Sequence, residues 1–336
     1  THHIVLDGLS TNILVQEFTQ LYQGKTLPPV TKQYKDYGLW QQTQFETDKF
    51  AQQEAYWATK FSDTIPVIDL PTDYPRPVNR SSNGSVVYSV LSQEQTHSLK
   101  SLARQTGVTL NMLLLAIYNV WLHRLTGQED MIVGSPVSGR PAGFEHSLGM
   151  FANTIAMRNQ PKGNLLFQDF LNQVKLNVVH DYDHQDYPFE NLVDKLNLQR
   201  DISRNPLFDV MFVYERADER VFKIKNLTFS PYNLSLETAG FDIVLEAIEQ
   251  EGLLSLTLTY VTDIFKRETI ERWLGYFEKM TQDVIKNPNQ RLCDIDMLPQ
   301  DEKQRLLVEF NNTKTNYPQD KTIIDLFEEQ VVKTPK

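Results

Sequence analysis

One cysteine, Cys293, stands in 336 residues. It excludes an internal disulfide and fits a reducing compartment such as the cytoplasm. No apolar run approaches the ~18 residues of a membrane span. Thirty-three Lys and Arg are outweighed by 43 Asp and Glu, for a net charge of −10, which argues against nucleic acid as the main partner, since that usually needs a basic face. A G-x-S-x-G nucleophile elbow is also missing, and the lone cysteine, flanked by acidic Asp294 and Asp296, is a poor candidate nucleophile. There is no internal repeat and no low-complexity tract. Nor does the chain open with methionine. Thr1 leads directly into what reads as a catalytic loop, so the sequence is read as the C-terminal part of something larger.

What is present is an interleaving of helical and strand patterns. Leu9, Ile13, Leu14, Phe18 and Leu21 recur at helical spacing and predict a helix over 9–23. A second is expected over 43–61, followed by a proline-rich connector carrying Pro66, Pro71, Pro75 and Pro77. Residues 85–91 read as a strand, and Ser92 with Gln95 forms a capping-box pattern before the next helix. Residues 109–125 are apolar enough for a buried helix. A short strand at 131–133 leads into a Gly/Ser/Pro-rich loop, helices follow over 165–180 and 188–197, and a strand over 208–214. Alternation over 241–247 and 254–260 predicts a hairpin turning near Gly252, with a helix from Ile270 to Val284. The class is therefore α/β or α+β with a mixed sheet flanked by helices. From 291 the chain is charged and poor in core residues, as a linker would be.

Three clusters carry candidate chemistry. His2-His3-Ile4-Val5-Leu6-Asp7-Gly8 is an H-H-x-x-x-D-G string. Histidine exchanges a proton near neutral pH, and a carboxylate can fix its surroundings. In an extended strand one ring would face a cleft and the other pack inward, while a buried Asp7 would need a cation or several donors. His180 and His184 share the i, i+4 spacing of a zinc helix, but Asp181 replaces the glutamate and the second histidine falls near a helix end, so no metal site is assigned. Gly134 to Pro141 imitates a phosphate-binding loop, but Arg140 and Pro141 stand where lysine and a hydroxyl are needed, so nucleotide binding is rejected in favour of an ordered functional loop.

Taken together these residues resemble the condensation domain of nonribosomal peptide synthetases, within the chloramphenicol-acetyltransferase-like superfamily. The H-H-x-x-x-D-G string looks like its core motif. Tyr34 to Gln41 resembles Y-x-D-Y-x-x-W-Q. Leu148 to Thr154 with Arg158 resembles G-x-F-x-N-T-x-x-x-R. His184 to Glu190 resembles H-Q-D-x-P-F-E, and Arg200 to Phe208 resembles R-D-x-S-R-x-P-L-F. The tail is similar to the linker and first residues of an adenylation domain, through Phe310 to Lys314, Tyr317-Pro318, and Leu326 to Pro335.

The resemblance implies two acetyltransferase-like lobes around a tunnel. Carrier-protein-bound substrates reach it on phosphopantetheine arms, with no cofactor bound directly, and the acceptor amine attacks the donor thioester. His3 would be the catalytic residue, supported by His2, Asp7 and Gly8. Ser10, Gly149, Asn153 and Arg158 would belong to the tunnel. Residues 1–30 would end the N-terminal lobe, 31–290 form the C-terminal lobe, 291–321 a linker, and 322–336 the start of the adenylation domain. Donor and acceptor carrier domains and that adenylation domain are the implied partners. Most of the N-terminal lobe would be absent, and with it the arginine expected for Asp7, so the chain alone is expected to be inactive or nearly so. An epimerisation domain shares the two histidines but is disfavoured by the adenylation-like tail. A non-catalytic carrier-docking platform is the remaining alternative.

Overall fold

The computed structural model describes residues 2–198, 201–216, 222–224, 227–229, 237–316 and 318–335. Arg200, at the head of the fifth motif, and Tyr317 lie outside these. The chain divides into two compact units, Thr1–Met297 and Leu298–Lys336.

In the first unit the elements run α1 (Gly8–Tyr22), α2 (Tyr34–Gln44), α3 (Asp48–Lys60), β1 (Gly84–Leu91), α4 (Gln93–Gln105), α5 (Leu110–Thr126), β2 (Met131–Val137), β3 (Asn153–Asn159), α6 (Phe167–Asp183), α7 (Phe189–Leu196), β4 (Val210–Arg216), β5 (Phe222–Ile224), β6 (Leu227–Phe229), β7 (Ile243–Gln250), β8 (Leu253–Val261) and α8 (Arg267–Lys286). Among the described residues a six-stranded sheet has the order β1-β8-β7-β4-β2-β3. Its β2–β4 and β4–β7 pairs are parallel and the rest antiparallel, which makes it the expected mixed sheet.

The buried face of the sheet follows from period-two alternation. Leu254, Leu256, Leu258 and Tyr260 of β8 point to the core, with Leu245 and Ala247 of β7 and Val87 and Leu91 of β1. Register places Val87 and Leu245 on either side of Leu258, so one slip would turn the whole set outward. The β7–β8 hairpin turns through Glu251 and Gly252, both at positive φ (51° and 80°), the signature of a two-residue turn whose twist suits the strands.

Against this face lies α5, whose residues from Leu113 to Leu122 are all buried. Thr109 caps its start and Gly127, at φ 73°, ends it. Trp121 donates its indole N–H to the Trp273 carbonyl of α8 at 3.0 Å, so the two helices are joined by a hydrogen bond as well as by edge-to-face rings 6.1 Å apart. The Ser92–Gln95 capping box forms as the sequence predicts.

Three expectations change. The helix over 43–61 becomes α3 alone, preceded by a separate α2 that the sequence reading leaves unassigned. Thr47 caps α3 by accepting from the Phe50 N–H, and this fixes the break. The strand at 131–133 continues through Pro136 to Val137 because β3 pairs along its whole length. Gly134, read as the first glycine of a phosphate loop, lies inside β2, where a Cβ would sit 2.1 Å from the Phe208 ring. Residues 291–297, assigned by composition to a linker, are part of the first unit. Leu292 and Ile295 are buried, and the Leu292 N–H reaches the Leu165 carbonyl at 2.9 Å.

In the second unit, α9 (Gln300–Gln304) continues into a π-helical turn at Arg305–Glu309, and α10 (Ile323–Lys333) starts on a Thr322–Asp325 capping box. Ile323, Phe327 and Val332 of α10 are exposed.

Candidate active site

His2 to Val5 form a turn closed by the Val5 N–H on the His2 carbonyl at 3.1 Å. Both histidines are exposed. The expectation of an extended strand with one inward ring is therefore corrected. The chain must turn here so that Asp7 can cap α1 through the Ser10 N–H at 2.7 Å.

The two rings differ in their bonding. His3 Nδ1 lies 2.9 Å from the Leu6 carbonyl. A carbonyl only accepts, so Nδ1 carries the proton and the Nε2 lone pair of the neutral ring is free. His2 Nδ1 accepts the Ile4 N–H at 3.1 Å, which puts the proton of the neutral ring on Nε2. Neighbouring imidazoles thus present opposite chemistry at Nε2, a base at His3 and a donor at His2.

Asp7 holds this loop to the rest of the unit. It is 3% exposed and accepts from the Ser10 N–H, from the Phe151 N–H at 3.1 Å, and from Arg140 Nη2 at 3.0 and 3.3 Å. Burial pushes its pKa up. Ser10, the Phe151 amide and the Arg140 guanidinium outweigh that, so the carboxyl ionises below the ordinary aspartate range. The arginine expected from an absent lobe is in fact Arg140 of this chain. Its Nη1 binds the Phe144 and Ser147 carbonyls, and its guanidinium lies 4.1 Å over the Phe151 ring. This explains the loop that imitates a phosphate site, whose charged residue serves Asp7. The sequence reading missed Arg140 as a site residue, although a buried Asp7 in need of a cation was the available signal.

The other candidates fall into two groups. Ser10 is fully buried. Its hydroxyl donates to the Gly149 carbonyl and accepts from the Gly149 N–H and Arg140, which uses all its capacity. Arg158 spends its guanidinium donors on Asp130, Asp63 and the Lys60 and Thr64 carbonyls. Neither keeps a polar group for a substrate. Gly149 belongs to the Asp7 clamp, and a Cβ there would lie 2.1 Å from the Tyr34 ring. At Gly8 a Cβ would meet nothing within 4 Å.

Asn153 faces a cavity of about 260 Å³. Its amide ties the Gln185 and Tyr187 carbonyls and the Phe189 N–H together. The walls come from three of the motif segments: Tyr34, Tyr37, Trp40 and Gln41; Met150 to Asn153; and Gln185, Asp186, Pro188 and Glu190. Motifs far apart in sequence therefore meet at one place, one wall of which, Phe151, has its N–H on Asp7. The Tyr37 hydroxyl is pushed up to about 12 by burial, with Tyr34 and Asp186 adding to it. His184, the second of the zinc-like pair, lies just past the end of α6. There its ring stacks on Tyr56 at 4.0 Å and its Nδ1 meets the His180 carbonyl at 2.7 Å.

Residues 1–307 match the family model described as Condensation domain. The chain is 45% identical over 338 residues to gramicidin S synthase 2 of Brevibacillus brevis, covering 100% of this chain and 8% of that protein. It is 47% identical over 336 residues to tyrocidine synthase 3 of Brevibacillus parabrevis, covering 100% of this chain and 5% of that protein. It thus spans less than a tenth of these curated relatives. Among solved structures, a four-domain nonribosomal peptide synthetase bound to AMP and glycine matches with a TM-score of 0.81 at 23% identity, over 90% of this chain and 24% of that one. The X-domain from teicoplanin biosynthesis matches with a TM-score of 0.79 at 21% identity, over 89% and 71%. These structural likenesses carry the fold.

Proposed function

Because the chain belongs to the condensation-domain family of nonribosomal peptide synthetases, we propose that it serves amide-bond formation between carrier-bound thioesters, with His3 at the reacting centre. The observation that carries this is the Nδ1 contact of His3 to Leu6, which leaves Nε2 on an exposed ring as a proton acceptor. An acceptor amine attacks the donor thioester carbonyl. The C–N bond forms, the C–S bond breaks, and the amine proton passes by way of His3 Nε2 to the departing thiolate. His2, Asp7 and Gly8 support the turn. The substrates come on phosphopantetheine arms of donor and acceptor carrier domains, and residues 322–336 lead into an adenylation domain. Leu9, Leu14, Phe18 and Leu21 of α1 are exposed. They support a two-lobed, acetyltransferase-like arrangement in which a further N-terminal lobe covers this helix and residues 31–290 form the other lobe.

The test restores that lobe and supplies both carriers loaded with aminoacyl groups, with mass spectrometry following the acceptor arm. Dipeptide should form and fall at least 100-fold in His3→Ala, while the chain without the lobe stays inactive. Carrier binding with no dipeptide from either form would replace this reading by a docking platform.

A further inference from the structure

The cavity where the motif segments meet is not used by the chemistry placed on His3, which does not line it. Its walls combine aromatic rings with polar groups that are free. Tyr37 and Trp40 stack at 5.7 Å, and Phe45 and Phe50 meet at 4.8 Å. Gln41, Gln185, Glu190 and the Tyr37 hydroxyl border the same space, and their side chains make no hydrogen bond or ion pair among the described residues. The charges around the cavity do not balance. Lys49 and Asp186 pair at 2.7 Å and cancel. Glu190 is left as the one uncompensated charge among the residues that line it. It stands in the first turn of α7, where the helix N-terminus favours a negative group and so stabilises the carboxylate. Burial, then Tyr34 and Asp186, push the Tyr37 hydroxyl up to about 12, so it stays neutral and keeps an oxygen lone pair to offer.

We propose that this cavity binds a primary ammonium that carries an aromatic or aliphatic group. An ammonium has only N–H donors, and the cavity answers them with a carboxylate, a phenol oxygen and two side-chain amide oxygens. Aromatic walls attract a cation through the negative faces of their rings and cover the apolar part of the ligand. An anion would meet Glu190 with like charge, and a neutral alcohol would leave that carboxylate unpaired. The same ammonium chemistry is found in a small free amine and in a lysine side chain of a polypeptide, and these are separable sources. The site holds or loses its ligand whether or not the reading of His3 is right.

The test titrates the full chain by calorimetry with three probes of one shape and different charge: phenethylamine, 2-phenylethanol and phenylacetate. Salt is kept at roughly 0.15 M, so that the acidic surface as a whole is screened. Phenethylamine should bind about tenfold tighter than the alcohol, or more, and phenylacetate weakest. Glu190→Gln should remove most of the preference for the amine and leave the alcohol unchanged. Glu190 is exposed, so this variant keeps its fold. Glu94→Gln, an exposed change on α4 that does not line the cavity, should alter nothing. The capped peptide acetyl-Ala-Lys-Ala-amide identifies the source. Tighter binding than phenethylamine indicates a lysine side chain, and weaker binding a small free amine. Equal binding of amine and alcohol by the unmodified chain, no binding of either at millimolar concentration, or an amine preference lost equally in Glu94→Gln would overturn the proposal.

Discussion

Breaking the Asp7–Arg140 pair removes one member of a buried ion pair. Arg140 is 7% exposed on its side chain and Asp7 3%. Arg140→Met removes the cation and leaves the carboxylate with the Ser10 and Phe151 amides. Orphaning one member of a buried pair costs about 3–5 kcal/mol. Asp7→Asn keeps an N-cap of comparable quality but leaves the guanidinium with the Phe144 and Ser147 carbonyls and Ser10. The double variant orphans neither charge, so its cost should fall short of the sum of the single costs by roughly 2–3 kcal/mol. Urea unfolding followed by tryptophan fluorescence measures all four proteins, since Trp40, Trp57, Trp121 and Trp273 all lie in the first unit. Costs that add to within about 0.5 kcal/mol would refute the buried-pair reasoning. The pH dependence has a fixed sign. The Asp7 carboxyl ionises below the ordinary 3.8, so its contribution is complete above that value and is lost as pH falls through the lower folded value. Arg140→Met, which removes one cause of the depression, should flatten this acid limb.

Gly149→Ala should destabilise the first unit by about 1–3 kcal/mol, because the added Cβ would meet the Tyr34 ring at 2.1 Å. Tyr34→Ala in the same chain should return part of that loss, which thermal unfolding would show. Tyr118 is fully buried and its hydroxyl has no partner, so Tyr118→Phe should be neutral or stabilising by up to roughly 1–3 kcal/mol. A clear loss in urea unfolding would mean that a bound water completes the hydroxyl. Lys60→Met should cost about 3–5 kcal/mol, because it leaves the fully buried Asp181 with the Tyr56 hydroxyl but no cation. Asp181→Asn added to it should recover part of the loss.

Much of this protein was legible in order along the chain. The β7–β8 hairpin, the buried α5 and the Ser92 cap follow from spacing and local chemistry, which act within a few residues. The H-H-x-x-x-D-G string pointed to its family for the same reason, since its content is local. The sequence could not state which cation answers Asp7. Arg140 lies 133 positions away, in a loop whose glycines suggested a different purpose, and pairing across that distance depends on where the sheet delivers the ends of β2 and β3. Arg158 belonged to a recognisable motif and Ser10 lay two residues past another, yet the fold commits their polar atoms to neighbours that no pattern names. Local periodicity sets which face of each element is apolar. Only tertiary packing decides which polar groups meet, because a hydrogen bond or a buried ion pair exists only where two distant segments arrive together.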